Sequence, residues 1–267
     1  MSLLHILLLA VIQGVTEFLP ISSSGHLILL PYLTGTPDQG LTIDVAVHLG
    51  TLGAVILFFR RDVGQAAGGL GRLVRGKADT PGARLALLLI VATIPVMIVG
   101  YSIHRAGLDQ AMRSVAVIGW AMLIFGIVLW WADRRGSTGA QAEDWTLRHA
   151  WIMGLWQCLA LIPGTSRSGI TITAALKLGY RREDAARLSM LMSIPTIIAS
   201  AGLLGLELVR NHDTARLHEG AIAAVFAFAS ALLALWLMMK LLRTVSFAPY
   251  VAYRVVLGIG LLYWAYS

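Results

Sequence analysis

Long apolar runs dominate the chain, and short polar stretches separate them. Ten apolar segments can be distinguished, near 3–19, 25–33, 44–59, 85–103, 114–132, 149–162, 168–178, 187–207, 220–239 and 250–266. A helix that crosses a bilayer needs about 20 apolar residues, with a working range of about 17–25. Six segments approach that length, of which 44–59 is the shortest. The pattern therefore predicts six membrane-spanning helices.

The other four segments form two pairs, 3–19 with 25–33 and 149–162 with 168–178. In each pair one partner is too short to cross a bilayer, and a polar Ser/Gly turn separates the partners. Such pairs are typical of helical hairpins that enter the membrane and return to the same side, with an irregular tip that is buried in protein or faces a polar cavity. We therefore predict an all-α integral membrane protein with six transmembrane helices and two re-entrant helical hairpins.

Composition agrees with a bilayer as the solvent. Apolar residues make up 57% and charged residues 13% of the 267 residues, whereas an ordinary soluble domain has about 25% charged residues. No cleavable signal is expected, because the first apolar run has no Lys or Arg before it and contains Glu17. One cysteine, Cys158, permits no internal disulfide.

The distribution of Lys and Arg predicts the orientation. One set of alternate loops contains sixteen of these residues and the other set contains four. The remaining residue, Arg167, is then the one Lys or Arg within the membrane. The richer loops are 60–84, 133–148, 177–187 and 240–254, and the poorer ones are 34–43, 104–113 and 208–219. The positive-inside rule places the richer loops in the cytoplasm. The net charge of +7 thus reflects topology, and nucleic-acid binding is not expected.

This orientation places the N-terminus, the first hairpin and the C-terminus outside, and lets the second hairpin enter from inside. A hairpin followed by three spans then occurs twice, in opposite orientations. We expect a single membrane domain, 1–267, built as an inverted-topology repeat with half-repeats of approximately 1–133 and 144–267. Sites in such folds usually form near the midplane where broken helices meet. The two hairpin tips are therefore expected to face each other.

The helix before the first turn contains two polar residues on one face, Gln13 and Glu17, which are four positions apart. A charged side chain at the bilayer centre costs about 2.5–3.5 kcal/mol and normally faces a cavity or a partner. Glu17 is therefore a candidate general base or hard-cation ligand, or it pairs with a basic residue to close the hairpin. With Gln13, it could hold Mg²⁺ or Ca²⁺ if a diphosphate substrate completed the coordination shell.

The first turn follows Pro20 and runs through Ser22, Ser23, Ser24, Gly25 and His26. It begins a helix, where free N–H groups and the positive end of the dipole favour an anion. One serine is enough for an N-cap, so the additional polar residues indicate function. His26 is a candidate acid, base or phosphate donor, with a structural role as the alternative.

The second turn has the same Ser-x-Ser-Gly pattern and contains an arginine; it runs through Gly164, Thr165, Ser166, Arg167, Ser168 and Gly169, with Thr171 following. The first serine of each Ser-x-Ser-Gly run, Ser22 or Ser166, lies nine residues after a glutamine, Gln13 or Gln157. Arginine keeps its charge and binds phosphate bidentately. Arg167 therefore needs either Glu17 or an anionic ligand, and the glycines favour the ligand. Elsewhere, Asp44 and His48 are expected to have packing roles.

Two segments resemble the signatures of a known family. The run from Gln13 and Glu17 to His26 resembles the first signature of the bacterial undecaprenyl-diphosphatase family, also called bacitracin-resistance proteins. The run 163–171 resembles its second signature, and 49–52 and 193–195 are also similar to that family. The resemblance extends from about residue 10 to the end of the chain.

The resemblance implies a bacterial inner-membrane enzyme that removes the terminal phosphate of undecaprenyl diphosphate, recycles the cell-wall lipid carrier and confers bacitracin resistance. It implies a dependence on a divalent cation and a site that opens to the periplasm. The family's acidic motif corresponds to Gln13 and Glu17, its serine nucleophile or essential hydroxyl to Ser23, its histidine to His26 and its arginine to Arg167. Its second-motif hydroxyls correspond to Ser166, Ser168 and Thr171.

These residues lead to a hypothesis of phosphoryl transfer, in which Glu17 activates Ser23 while Arg167 and both helix N-termini hold the diphosphate. Water as the nucleophile, with Ser23 as a phosphate ligand, is the second candidate. The expected substrate contacts are Ser22, Ser24, Gly25, Gly164, Thr165, Ser166, Ser168, Gly169 and Thr171. A polyprenyl-phosphate transporter or flippase is the rival class, because inverted repeats with broken helices are common in transporters. The oligomeric state stays open, with a homodimer as one option.

Overall fold

The computed structural model describes residues 2–35, 40–108, 112–135, 138–210 and 217–267. These residues form α-helices joined by turns and short 3₁₀ segments, with no β-strand among them. The α-helices are α1 (Leu3–Phe18), α2 (Ser23–Thr34), α3 (Leu41–Phe58), α4 (Arg60–Val74), α5 (Pro81–Arg105), α6 (Val115–Arg134), α7 (Leu147–Gln157), α8 (Arg167–Lys177), α9 (Arg182–Arg210), α10 (Leu217–Leu241) and α11 (Ala248–Tyr266).

The prediction of six spanning helices is confirmed. Within the described ranges, six helices are long and apolar enough to cross a membrane, namely α3, α5, α6, α9, α10 and α11. The shorter pairs α1–α2 and α7–α8 lie where the hairpins are expected, and α7 continues into a 3₁₀ turn at Cys158–Leu161. The re-entrant course of these two pairs stays a prediction.

One helix is not predicted by the sequence pattern. The charge distribution predicts a cytoplasmic loop over 60–84, but the first part of this stretch forms α4, which packs along α5. Glycines allow the two backbones to touch, since a Cβ on Gly69 would lie 2.2 Å from the Ala83 nitrogen. The pattern does not reveal α4 because its apolar residues, such as Val63, form only a narrow stripe among basic and small residues.

A second correction concerns Arg254, which the charge count assigns to the cytoplasmic loop 240–254. The residue lies inside α11, and its side chain is fully buried. Without Arg254 the richer loops contain fifteen Lys and Arg residues and the poorer loops contain four. The predicted orientation therefore does not change. Residues 36–39, 109–111 and 211–216 of the three poorer loops, and 136–137 of one richer loop, lie outside the described residues.

Helix packing follows a paired pattern. In the described structure α1 packs on α10 as α7 packs on α5, and α3 packs on α10 as α5 packs on α9. Glycine allows the close approach of α1 to α10 and of α7 to α5. A Cβ on Gly14 would lie 2.6 Å from the Ala227 oxygen, and one on Gly154 would lie 2.5 Å from the Ala92 oxygen. An exchange of the two halves would produce this pairing, although the half-repeat boundaries stay a prediction.

Candidate active site

The two Ser-x-Ser-Gly turns have nearly the same backbone. Ser22 and Ser166, with φ of 76° and 71°, are the only non-glycine residues in the described ranges that have positive φ. Each caps the following helix, because its Oγ accepts a hydrogen bond from the backbone N–H of Gly25 at 3.4 Å or Gly169 at 3.1 Å. Such conformations cost about 1–3 kcal/mol and concentrate at functional sites. The shared strain therefore marks both turns as candidate binding elements.

The expectation that the two tips meet is confirmed. Arg167 Nη2 in the second turn donates to Glu17 Oε1 at the end of α1, at 2.9 Å. Ser168 Oγ donates to the backbone oxygen of Leu19 in the first turn, at 3.0 Å. One side-chain ion pair and one side-chain-to-backbone bond thus join chain segments that are about 150 residues apart.

Glu17 is the centre of the cluster and is 7% exposed. Its Oε2 accepts from Ser23 Oγ at 2.7 Å and from Gln13 Nε2 at 3.0 Å. His48 Nε2 lies 4.0 Å from the same oxygen. A carboxylate that accepts the hydrogen of a serine hydroxyl has the geometry of a base beside its nucleophile. The predicted pairing of Glu17 with Ser23 is therefore present as a contact.

The sequence offers Glu17 or an anionic ligand as the partner of Arg167, and in the structure the partner is Glu17. The Arg167 side chain is 13% exposed. Its Nη1 makes only a long contact, 3.4 Å, with the backbone oxygen of Ser189. A guanidinium carries five N–H donors. Several of its donors are therefore not committed to strong bonds and could bind a phosphate.

The hydroxyls of Ser166, Ser168 and Thr171 are bonded to protein, whereas that of Thr165 is not bonded to any described residue. Ser166 Oγ lies 3.1 Å from Ser168 Oγ, and Thr171 Oγ1 lies 2.6 Å from Ser189 Oγ on α9. Thr165 Oγ1 is buried without a hydrogen-bond partner. These residues build and fix the turn, and their predicted contact with substrate stays a prediction.

The glycines of the turns also have protein neighbours. A Cβ on Gly164, where φ is +93°, would lie 2.6 Å from the oxygen of Ile118, and one on Gly169 would lie 2.8 Å from Arg254 Nη1. Gly25 is less confined, with Ile118 Cγ2 at 3.3 Å from the same constructed position. Packing alone therefore requires the two glycines of the second turn, whether or not phosphate binds there.

Both ring nitrogens of His26 have partners other than Ser23. Its Nδ1 lies 2.6 Å from the backbone oxygen of Ser22, and its Nε2 lies 2.6 Å from the hydroxyl of Tyr253 on α11. Because a carbonyl oxygen only accepts, Nδ1 must carry a hydrogen, and the neutral ring then accepts the tyrosine hydrogen at Nε2. The proposed acid–base role of His26 stays a prediction. The ring nitrogen that could exchange a proton, Nε2, is hydrogen-bonded to Tyr253.

Three residues of the site are missed by sequence reasoning. The sequence pattern predicts a packing role for His48, yet this residue lies beside Glu17. It predicts no role for Tyr253 and Arg254, yet both contact a turn or a residue of a turn. All three lie in apolar segments and outside the two Ser-x-Ser-Gly turns. For Arg254 the available signal is its position inside the segment 250–266, which a stricter loop boundary would reveal.

The donor set can be compared with the needs of the divalent cation that the resemblance implies. The described residues contain no group of three or more His, Cys, Asp or Glu side chains that could hold a metal. Glu17 provides a carboxylate, however, and Gln13 Oε1 beside it is buried and has no hydrogen-bond partner among the described residues. Mg²⁺ is commonly bound through one or two carboxylates together with substrate phosphates. The residues therefore fit an ion that enters with a diphosphate.

Comparison with known proteins agrees with the resemblance. The family described as Bacitracin resistance protein BacA matches residues 6–260. A protein of Dinoroseobacter shibae named undecaprenyl-diphosphatase is 69% identical over 267 residues, and one of Ruegeria pomeroyi with the same name is 64% identical; both alignments cover 100% of each chain. A third, from Chromohalobacter salexigens, is 47% identical over 99% of each chain and has the same name. The chain therefore belongs to the bacitracin resistance protein BacA family.

Proposed function

We propose that this protein is a membrane phosphatase that hydrolyses undecaprenyl diphosphate to undecaprenyl phosphate and inorganic phosphate, and so recycles the cell-wall lipid carrier and confers bacitracin resistance. The observation that carries the proposal is Glu17, which contacts the hydroxyl of Ser23 and the guanidinium of Arg167 at once. A base, a nucleophile and a phosphate ligand thus lie within one cluster. The names of the full-length relatives supply the substrate.

The geometry suggests how the chain's own residues divide the reaction. Arg167 and the N-termini of α2 and α8 hold the terminal phosphate. Glu17 accepts the hydroxyl proton while Ser23 Oγ forms a bond to the terminal phosphorus and the anhydride P–O bond breaks, releasing undecaprenyl phosphate. Water then hydrolyses the phosphoserine and releases inorganic phosphate. In the alternative, water attacks directly, Glu17 takes its proton, and Ser23 only binds the phosphate.

A divalent cation, Mg²⁺ or Ca²⁺, would be held by Glu17 and Gln13 together with substrate oxygens. Such an ion neutralises part of the charge of the diphosphate when it is bound. A chelator should therefore abolish activity, and either ion should restore it. Activity that persists after complete removal of divalent ions would contradict this assignment.

We also propose that the protein lies in the bacterial inner membrane with the site open to the periplasm. The six apolar helices and the loop charges support this orientation. Ser24 in the first turn is exposed and Ser23 is half-buried, so the hydroxyl side of the site is the accessible one. In the same arrangement α1–α2 and α7–α8 are re-entrant hairpins of two inverted half-repeats.

The proposed function is tested by the release of phosphate from undecaprenyl diphosphate by the purified protein. The wild type should release phosphate, and Arg167→Ala should not. Arg72→Ala is the matched control, because Arg72 pairs with Asp79 in a contact that is about half exposed and involves no residue of the turns. A transporter would instead move lipid across vesicles without consuming it, so lipid movement without phosphate release in the presence of metal would overturn the proposal.

A further inference from the structure

An arginine that the proposed chemistry does not use contacts both turns. Arg254 of α11 is fully buried. Its Nη1 donates to the backbone oxygen of Pro20 in the first turn, at 3.3 Å. Its Nη2 donates to the backbone oxygens of Gly164 and Thr165 in the second turn, at 3.1 and 2.8 Å. A single guanidinium therefore joins the two tips.

The same side chain is also fixed to α6. Its Nε donates to the Met122 oxygen at 3.2 Å, and its Nη2 lies 3.3 Å from the Ala121 oxygen. Glycines on two sides leave room for it, since a Cβ on Gly126 would lie 3.2 Å from the Arg254 Cβ and one on Gly169 would lie 2.8 Å from its Nη1. Three chain segments thus enclose the guanidinium.

The energetics argue against a role in packing alone. A buried charge is costly unless it is paired and hydrogen-bonded, and the ion pairs of the described residues include none to Arg254. Even a whole buried ion pair can often be replaced by apolar residues of similar volume with a neutral or stabilising effect. What an apolar side chain cannot provide is a planar fork with donors in fixed directions. The fork holds carbonyls of both turns at a defined spacing.

We propose that Arg254 is a positioning residue of the phosphatase reaction, which holds the two turns at the separation that lets Ser23 and Arg167 reach one phosphoryl group. The inference rests on the proposed function. Ser23 follows Pro20 by three residues, and Arg167 follows Thr165 by two. A shift of either carbonyl therefore moves a group that touches the substrate. A misplacement of about 1 Å can lower a rate about a hundredfold.

The test measures kcat and KM for Arg254→Lys and Arg254→Met. Lysine keeps the charge on a flexible stem but lacks the planar fork. We expect kcat to fall about a hundredfold in Arg254→Lys with KM nearly unchanged, and at least as far in Arg254→Met. Arg254→Lys with the kcat of the wild type would show that charge alone is needed and would overturn the proposal.

A double-mutant cycle with Arg167→Lys separates positioning from stability. If Arg254 acts through the placement of Arg167, the loss caused by Arg254→Lys should shrink once Arg167 has been replaced. Losses that multiply would show that the two residues act independently and would overturn the proposal. The matched control is Arg182→Lys, because Arg182 pairs with Asp133, in a contact that involves no residue of the turns, at 2.6 Å. The control should change thermal stability without changing kcat.

Size-exclusion chromatography in detergent identifies variants that do not fold. If both Arg254 variants fail to fold, Gly126→Ala takes over the test, because its Cβ would lie 3.2 Å from the Arg254 Cβ and 3.5 Å from its Nε, and so shifts this side chain without removing its charge. It should lower kcat, and a kcat equal to that of the wild type would overturn the proposal. A wild-type protein that releases no phosphate contradicts the proposed function itself, whereas an active wild type with unaffected variants contradicts only the role of Arg254.

Discussion

At the scale of single residues, Glu17 carries most of the site. It is buried and accepts hydrogen bonds from Gln13, Ser23 and Arg167. Its carboxylate therefore balances the charge of Arg167 and orients the hydroxyl of Ser23 at the same time. These two roles predict that one substitution should affect both stability and catalysis.

Glu17→Gln should lower phosphate release by about 10²–10⁴-fold, because an amide cannot take the proton of Ser23. The variant leaves the Arg167 guanidinium buried without its carboxylate partner, a change that typically costs about 3–5 kcal/mol of stability. Thermal unfolding in detergent and a phosphate assay measure the two effects.

Glu143→Gln is the control with the same chemistry. Glu143 lies in the 3₁₀ segment Ala142–Asp144, and its hydrogen bond with Arg187 holds the pKa of its carboxyl below the ordinary value. Its side chain is 64% exposed, so the loss of this pair should cost little stability. Full activity of Glu17→Gln, or a loss of activity in Glu143→Gln as large as that in Glu17→Gln, would contradict the assignment.

Ser23→Ala should lower kcat by about a thousandfold or more if Ser23 is the nucleophile. Ser24→Ala is the matched comparison and should lose far less, because the Ser24 hydroxyl makes a long contact, 3.4 Å, with Ser22 Oγ. Rapid quenching followed by mass spectrometry should detect phosphoserine at position 23 of the wild type. A fully active Ser23→Ala protein would exclude the serine mechanism.

The amino-acid sequence alone predicts the residues whose chemistry is out of place in hydrocarbon. Glu17 and Arg167 are costly in a membrane, so the presence of each in an apolar segment already implies a partner or a cavity. Tyr253 and His48 cannot be found in this way. Their contacts with the site reach residues that are 227 and 31 positions away, and neither lies within the Ser-x-Ser-Gly turns.

At the scale of elements, hydrophobic length predicts the spanning helices well, since a bilayer imposes a minimum length on each. It does not predict α4, because this helix is not among the candidate membrane spans and has no minimum apolar length to meet. Composition locates the two turns, but their shared positive φ at Ser22 and Ser166 is a backbone property that serine does not indicate. Glycine would be the expected residue at such a conformation.

Packing between spanning helices predicts opposite effects for two similar substitutions. Gly50→Ala in α3 would place a Cβ 2.2 Å from the Ala224 oxygen of α10, so it should destabilise the protein by about 1–3 kcal/mol. Gly260→Ala in α11 has nothing within 4 Å of the new atom and should raise helix stability by up to about 1 kcal/mol. Thermal unfolding in detergent compares the two, and equal shifts would contradict the described contact between α3 and α10.

At the scale of the whole molecule, the fold brings two dissimilar turns together through similar helix pairs. α1 packs on α10 as α7 packs on α5, yet Glu17 lies near the end of α1 and Arg167 at the start of α8. The packing is paired, whereas the proposed chemistry needs residues from both ends of the sequence. Neither of the predicted half-repeats alone contains both Glu17 and Arg167.

The predicted orientation can be tested by cysteine labelling in a Cys158→Ser background. Lys77→Cys lies in a cation-rich loop and Ser267→Cys at the C-terminus, and both positions are exposed. A membrane-impermeant maleimide should label Ser267→Cys in intact spheroplasts and should label Lys77→Cys only after permeabilisation. The reverse pattern would invert the orientation and move the accessible side of the site to the cytoplasm.

In the proposed mechanism the two turns hold one phosphoryl group between Ser23 and Arg167. A structure of the protein with bound orthovanadate, a phosphate analogue, would show whether both residues reach the same group. We expect a single vanadate whose oxygens or vanadium lie within about 3.2 Å of both Ser23 Oγ and an Arg167 guanidinium nitrogen. A vanadate that contacts Arg167 while Ser23 remains on Glu17 and out of reach, or one bound away from both turns, would contradict it.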